Sequence, residues 1–260
     1  MFYPKTKIHI FSWGGFVIYC KKTIFCIVLS LLVVIVSLIT FNNGNFTYTS
    51  SRISNVKTVI IDAGHGGFDG GAVAPDGTVE KDINLKISNY ISDMLKTAGY
   101  KVVLTREADV STDDVETDTI AVRKKSDLKN RLKLMNDYPD AIFVSIHLNK
   151  FTTSAARGSQ VFYNGKIIES KQLGECIQNS IISLLQPENT RVNKQATSST
   201  YLLYNATLPS VLVECGFLSN KSELALLKDE NYQKKMALCC FLGITEYLSN
   251  KGDTKDVAKS

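Results

Sequence analysis

Three short, largely apolar runs constrain the fold of this chain most strongly, because each one leads into a side chain that can bind a metal ion. Residues 58–64, 141–146 and 210–213 end directly before His65, His147 and Glu214. Runs of this length and composition predict buried β-strands. In open α/β sheets, ligands bind outside the carboxyl ends of the strands. Two imidazoles and one carboxylate delivered to that edge predict a metal site.

Segments with helical periodicity alternate with these strands. Apolar residues recur at helical spacing between Ile83 and Leu95, and Gly99 is a typical residue to end that helix. Further patterns predict helices over 125–136, 171–185, 221–227 and 232–248, and strands over 101–105, 158–163 and 201–204. The alternation predicts an α/β fold: a single domain with a mostly parallel twisted sheet flanked by helices.

The N-terminal region has the composition of a membrane anchor. Residues 23–41 are almost entirely apolar and uncharged, four lysines precede them, and the first fifty positions contain no acidic residue. A run of about 18 or more apolar residues can span a bilayer, and positive charge tends to stay inside. No A-x-A cleavage pattern follows, so we predict an uncleaved transmembrane signal-anchor.

This anchor divides the chain into predicted segments. They are a cytoplasmic segment 1–22, the transmembrane helix 23–41, a linker 42–56, a catalytic domain 57–249 and a flexible tail 250–260. We expect the catalytic domain to lie outside the cytoplasm, attached to the membrane through the N-terminal helix.

Charge and cysteine content exclude some classes of partner. Four of the 30 basic residues lie in the first fifty positions, so the remainder has 26 basic and 25 acidic residues, a net charge of +1. That balance offers no electrostatic footprint for nucleic acid.

The cysteines beyond the N-terminal region show no CxxC metal spacing, and their disulfide state stays open. They are Cys176, Cys215, Cys239 and Cys240.

Catalytic zinc sites typically have three protein ligands and an open position, and two histidines with one glutamate are a known set. His65 and His147 are the candidate imidazoles. From chemistry alone, Asp69 and Glu80 are about equally suited as the third ligand. Glu214 is suited either as a ligand or as a general acid and base beside the metal.

Six motifs occur along the chain in a fixed order. They are DAGHGGFDGGA at 62–72, Glu80, TR at 105–106, LKNR at 128–131, SIHLN at 145–149 and PSVLVECGFLSN at 209–220. In this order they resemble the zinc-dependent N-acetylmuramoyl-L-alanine amidases of bacterial cell walls. The resemblance covers about Lys57 to Leu248.

This resemblance implies a set of roles. The Zn²⁺ ligands would be His65, Glu80 and His147, the catalytic residue would be Glu214, and Asp69 would brace the glycine-rich loop. The implied reaction is hydrolysis of the amide that joins the lactyl group of N-acetylmuramic acid to L-alanine in peptidoglycan. Glu214 would take a proton from the attacking water and return it to the leaving amine.

The anchored single-domain layout is similar to the sporulation branch of that family, which acts in spore cortex maturation. The catalytic domain would then lie in the cell envelope or the forespore intermembrane space. The alternatives are a vegetative amidase for cell separation and a zinc peptidase acting within the stem peptide. An activating or regulatory protein partner stays open. The sequence also departs from the family pattern, since residues 191–194 read RVNK where many relatives have an Arg-Gly-Val-Lys stretch.

Overall fold

A computed structural model describes residues 58–257 of the chain. The predicted cytoplasmic segment, transmembrane helix and linker lie outside these residues. Within 58–257, no helix has both the length and the apolar character needed to cross a membrane. The described residues belong to one compact unit, Val56–Ser260.

Six strands and six helices are described. They are β1 (Thr58–Ala63), α1 (Glu80–Thr97), β2 (Lys101–Leu104), α2 (Ile120–Asn136), β3 (Ile142–Asn149), β4 (Gln160–Tyr163), α3 (Ile168–Leu184), β5 (Lys194–Gln195), α4 (Tyr201–Asn205), β6 (Ser210–Phe217), α5 (Lys221–Lys228) and α6 (Glu230–Val257). The predicted α/β fold with a single sheet flanked by helices is confirmed.

The sheet is mostly parallel, as predicted, but one of its five strand pairings is antiparallel, which makes it a mixed sheet. Its strand order is β2-β1-β3-β6-β4-β5. Strands β2, β1, β3 and β6 are parallel, whereas β4 runs antiparallel to β6 and parallel to β5. The reason is the connection 150–159 between β3 and β4, which is short and contains no helix. A parallel return normally needs a longer crossover.

One face of the sheet carries the larger apolar core. Its strand residues alternate along β1, β3 and β6 and pack against α1, α3 and α6. The strand residues of this core are Val59, Ile61, Ile142, Val144, Ile146, Leu148, Val161, Val211, Val213 and Cys215. The four described cysteines are free thiols, three of them buried in this half of the molecule. The disulfide left open by the sequence is therefore not formed among them.

The opposite face is covered less completely, by α2 and the short helix α4. Ile60 and Phe143 pack there against Met135, Leu202 and Leu203. The strand predicted at 201–204 was wrong, because this segment forms α4. Successive residues of a strand point to opposite faces, whereas Leu202 and Leu203 are both buried in the same core. Two successive residues can both face one core in a helical turn, but they cannot do so in a β-strand.

The acidic loop 107–119 is held against α2. The side chain of Asp127 accepts hydrogen bonds from the backbone N–H and the hydroxyl of Thr112 at 2.7 and 2.8 Å. Arg123 forms an ion pair with Asp113 at 2.7 Å. At the other end of the loop, Asp109 accepts a hydrogen bond from Lys81 at 2.7 Å. These contacts fix the loop beside the carboxyl end of β1.

Candidate metal centre and active site

His65, Glu80 and His147 meet at the carboxyl edge of the sheet, with ligand atoms within 4.8 Å of one another. His65 follows β1, Glu80 is the first residue of α1, and His147 lies in β3. Oε1 of Glu80 is 3.3 Å from His65 Nε2 and 3.0 Å from His147 Nδ1. The two imidazole rings stand edge to face, with centroids 4.9 Å apart. Three potential metal donors thus converge on one point.

Glu80 is fixed by backbone donors as well as by the histidines. Its Oε2 accepts the Ala72 N–H at 2.8 Å, and its Oε1 accepts the Leu148 N–H at 3.0 Å. Burial by itself would raise the pKa of Glu80, but hydrogen bonds from His147 and His65 outweigh it and hold the pKa well below its usual range. The start of a helix also favours a negative charge. Glu80 is therefore a carboxylate across the ordinary pH range.

Asp69 lies behind His65 and outside the three-residue group. Its Oδ2 is 2.8 Å from His65 Nδ1, and its Oδ1 is 2.8 Å from Lys124 Nζ. Burial opposes the charge on His65, but hydrogen bonds to Asp69 and Glu80 raise the pKa of its imidazole to about 9. A histidine that binds metal through one nitrogen usually donates its other N–H to such a carboxylate. Asp69 is placed to orient the His65 ring.

Two buried arginines donate hydrogen bonds to the backbone of the turn that contains His65. Arg106 donates to the carbonyls of Ala63 and Gly64 at 2.9 and 3.1 Å. Arg131 donates to the carbonyls of Ala63 and His65 at 3.0 and 2.7 Å. His65 has a φ of 63°, a left-handed conformation that is uncommon outside glycine. Three successive carbonyls thus accept hydrogen bonds from the two arginines, and these bonds hold the strained turn in place.

The charge of Arg131 is balanced below the site. Its guanidinium, 2% exposed, forms ion pairs with Asp62 and Asp127. Asp62 also accepts hydrogen bonds from Thr105 at 2.8 Å and Ser145 at 2.5 Å. Burial raises the pKa of Asp62, but the Arg131 charge and these hydrogen bonds lower it below its usual range. Sequence reasoning noted the TR and LKNR motifs without assigning this task to their arginines.

Glu214 reaches the same edge from β6. It is in register with His147 on β3, and Gln160 on β4 is in register with it on the other side. Registered neighbours project from the same face of a sheet. Within residues 58–257, Glu214 Oε2 is buried and has no hydrogen-bond partner. Burial raises the pKa of Glu214 to about 7, against the opposing attraction of His147.

The group fits a zinc ion by its donors and its packing. Two imidazole nitrogens and one carboxylate form a set typical of catalytic zinc. The glycine-rich loop lies directly on the donors. A Cβ at Gly64 would lie 2.3 Å from the His147 ring, and one at Gly71 would lie 2.6 Å from His65 and 2.7 Å from Glu80. The glycines are required because the backbone passes this close to the donors.

The chain matches known proteins along its whole described domain. Residues 59–246 match the family described as N-acetylmuramoyl-L-alanine amidase. The germination-specific N-acetylmuramoyl-L-alanine amidase of Bacillus subtilis is 38% identical over 212 residues, covering 82% of this chain and 88% of that protein.

Solved structures show the same relationship. The CwlD amidase from Clostridioides difficile, in complex with the GerS lipoprotein, is 44% identical with a TM-score of 0.72, covering 74% of this chain and 98% of that one. The amidase AmiC2 of Nostoc punctiforme is 30% identical with a TM-score of 0.63, covering 74% and 97%. The chain belongs to the N-acetylmuramoyl-L-alanine amidase family and is a hydrolase of that class.

Proposed function

We propose that this amidase holds a zinc ion with His65, Glu80 and His147 and uses Glu214 as its general base and acid. The observation that carries the proposal is a contrast within one site. Three donors converge, and Glu80 and His65 are held by further hydrogen bonds, while the neighbouring Glu214 keeps a buried oxygen without a partner in the described residues. The scissile bond is the amide between the muramoyl lactyl group and L-alanine.

When bound, zinc supplies a Lewis acid that stabilises negative charge on the scissile carbonyl oxygen and makes water a stronger nucleophile. Glu80, His65 and His147 hold the donor positions, and Asp69 keeps the Nε2 atom of His65 turned toward Glu80. The arginines behind the turn prevent the His65 backbone from relaxing. A preformed donor set of this kind loses little conformational entropy when the metal binds.

Glu214 performs the proton transfers. It accepts a proton from the water that attacks the carbonyl carbon, and it donates that proton to the amide nitrogen as the C–N bond breaks. Burial raises the pKa of Glu214 toward neutral pH in the metal-free site, and a group whose pKa lies near the working pH can both take and return a proton. The leaving product is a peptide with a free amino group on L-alanine.

Product analysis tests the reaction. The full chain is incubated with peptidoglycan, with and without a zinc chelator, and the soluble products are identified by mass spectrometry. We expect intact stem peptides that begin with L-alanine, and their loss on chelation. Fragments cut within the stem peptide would identify a peptidase instead, and release that is indifferent to chelation would remove zinc from the mechanism.

We further propose that the enzyme acts in spore cortex maturation. The relatives named above support this, since one is described as germination-specific. The predicted anchor at 23–41 would keep the domain at the outer side of a membrane. The test is a deletion strain. Loss of muramic lactam from the cortex supports the role, whereas normal spores with unseparated vegetative cells would favour the alternative.

A protein partner is proposed on a separate observation. The CwlD amidase was solved in complex with the GerS lipoprotein, so we infer that this chain also works with an envelope protein. Zinc titration of the isolated chain tests the requirement. Weak zinc occupancy that rises when extracts of sporulating cells are added supports it, and full occupancy and turnover of the chain alone would contradict it.

A further inference from the structure

A cleft of about 570 Å³ opens next to β4, lined by the loop before that strand, the loop after α3, and residues of α5 and α6. Two arginines, Arg157 and Arg191, and two glutamates, Glu188 and Glu223, contribute to its lining. The Glu223 carboxylate is already used, because it accepts two backbone N–H groups at 2.7 and 2.8 Å. Glu188 is exposed to solvent. The half-buried charge of the cleft is therefore the guanidinium of Arg191.

The Arg191 side chain is fixed but not saturated. Its Nε donates to the Arg157 carbonyl at 2.7 Å, and its Nη1 donates to Gln160 Oε1 at 3.0 Å. Its guanidinium carbon lies 4.8 Å from the centre of the Phe217 ring. A guanidinium has five N–H donors, and these contacts use two of them. Within residues 58–257, no carboxylate forms an ion pair with Arg191, in contrast to Arg123 and Arg131.

Gln160 connects this guanidinium to the reaction centre. It is in register with Glu214 across β4 and β6, and adjacent strands lie about 4.8 Å apart. Arg191 therefore stands one side chain beyond the proposed catalytic carboxylate. Two residues of extended peptide span about 7 Å. A stem peptide that leaves Glu214 toward the cleft would carry its second residue to Arg191.

We propose that the cleft beside β4 is the stem-peptide subsite, and that Arg191 binds a free carboxylate on the residue that follows L-alanine. Arginine suits this task because its fork of donors matches a carboxylate with two parallel hydrogen bonds. Stacking on Phe217 and the bond to Gln160 hold the fork before substrate arrives. The inference deepens the proposed function, since it takes Glu214 as the reaction centre.

The experiment compares two soluble substrates that differ in one group. They are N-acetylmuramoyl-L-alanyl-γ-D-glutamyl-L-lysine, in which the second residue has a free α-carboxylate, and the form with D-isoglutamine as second residue, in which that α-carboxylate is a carboxamide. In both substrates the γ-carboxyl of the second residue is in the peptide bond to lysine. The zinc-loaded full chain is assayed as wild type, Arg191→Met, Arg191→Lys and Lys194→Met. Lys194 is a matched control, because it is an exposed cation of the same segment.

We expect wild type to prefer the acid by about 10- to 100-fold in kcat/KM, the range of a charge-assisted pair. Arg191→Met should slow the acid alone and remove the preference. Arg191→Lys should keep part of it, because a point charge remains without the fork. Lys194→Met should keep all of it.

Several outcomes overturn the inference. A wild-type enzyme that does not prefer the acid contradicts it. An Arg191→Met variant that hydrolyses both substrates equally more slowly also contradicts it, because Arg191 would then have only a structural role. If Arg191→Met does not fold, the preference of Arg191→Lys decides. Measuring the dissociation constants of both substrates for Glu214→Gln distinguishes a failure of the Arg191 assignment from a failure of the Glu214 assignment. Turnover by that variant at the wild-type rate would refute the role of Glu214, while the ratio of the two dissociation constants still tests Arg191.

Discussion

Glu80 and Glu214 lie in one site, yet the protein holds them in opposite ways. Glu80 accepts two backbone N–H groups and contacts both histidines, and its pKa is held well below the usual range. Glu214 has a buried oxygen with no partner in the described residues, and burial raises its pKa to about 7. One carboxylate is permanently charged and immobile, and the other can exchange a proton.

The difference follows from the backbone around each residue. Glu80 starts a helix beneath the glycine-rich loop, and its oxygens accept the N–H of Ala72 in that loop and the N–H of Leu148 at the register shift of β3. Glu214 lies inside a strand, where the N–H groups are used by the ladder with β3 and β4. Leaving a buried polar group without a partner costs about 1–3 kcal/mol. The fold retains this cost at the residue proposed to transfer protons, and it removes such costs from the metal donors.

Glu214→Gln removes the carboxylate of the pair that can exchange a proton, and it should have the largest effect on activity. We expect turnover to fall by about 10²- to 10⁴-fold, the range for loss of general acid–base catalysis. Zinc content should not change, because Glu214 is outside the three-donor group. Hydrolysis rates and metal analysis measure both quantities, with Glu246→Gln on the exposed side of α6 as control. Near-native turnover would refute the assignment.

His147→Asn removes one donor from the three-residue group that contains Glu80. Removing one of three donors should weaken zinc binding by at least about 100-fold, more than the loss of an outer partner of a ligand. Activity should then return only at high zinc concentration. Competition with a zinc chelator measures the affinity, and Thr152→Ala, an exposed change in the following loop, is the control. Unchanged zinc affinity would mean that the cluster is not the metal site.

Arg131→Met tests whether the clamp behind His65 serves the metal or only the fold. The change leaves Asp62 buried without its cation, so unfolding free energy should fall by about 3–5 kcal/mol. Zinc affinity should fall by about 10- to 100-fold, as for other residues that orient a ligand. Denaturant unfolding and zinc titration are compared with Lys129→Met, an exposed change on α2. Normal zinc affinity in a destabilised variant would leave Arg131 with a structural role alone.

The pH dependence of metal-free stability should show the smallest effect. Since the folded-state pKa of Glu214 is raised from 4.5 to about 7, the native state binds more protons than the unfolded state between these values. Stability from this group is therefore lost as pH rises through that window. Glu214→Gln should remove the loss, so its stability relative to wild type should increase between pH 5 and pH 8. A constant difference would indicate an ordinary pKa.

Local patterns in the sequence predicted the parts of the site that depend on single elements. The strands leading to His65, His147 and Glu214 follow from short apolar runs, and helix α1 follows from its periodicity. The segment at 201–204 shows the limit of such patterns, because burial of Leu202 and Leu203 in one core selected a helix over a strand.

Spacing left Asp69 and Glu80 equally suited as the third donor, and only the fold separates them. The path of the glycine-rich loop turns Glu80 into the group and places Asp69 behind the His65 ring. The same holds for Arg106 and Arg131, whose bonds to the turn join residues 42 to 68 positions apart. Periodicity contains no information about contacts of that separation.

The sequence by itself therefore determined the α/β class, the family and the residue types of the site, because strand and helix periods and ordered motifs are local properties of the chain. The tertiary structure decided the mixed sheet, the difference between Glu80 and Glu214, and the unused donors of Arg191. These depend on which backbone groups and side chains surround a residue in space, and that environment exists only once distant segments have packed together.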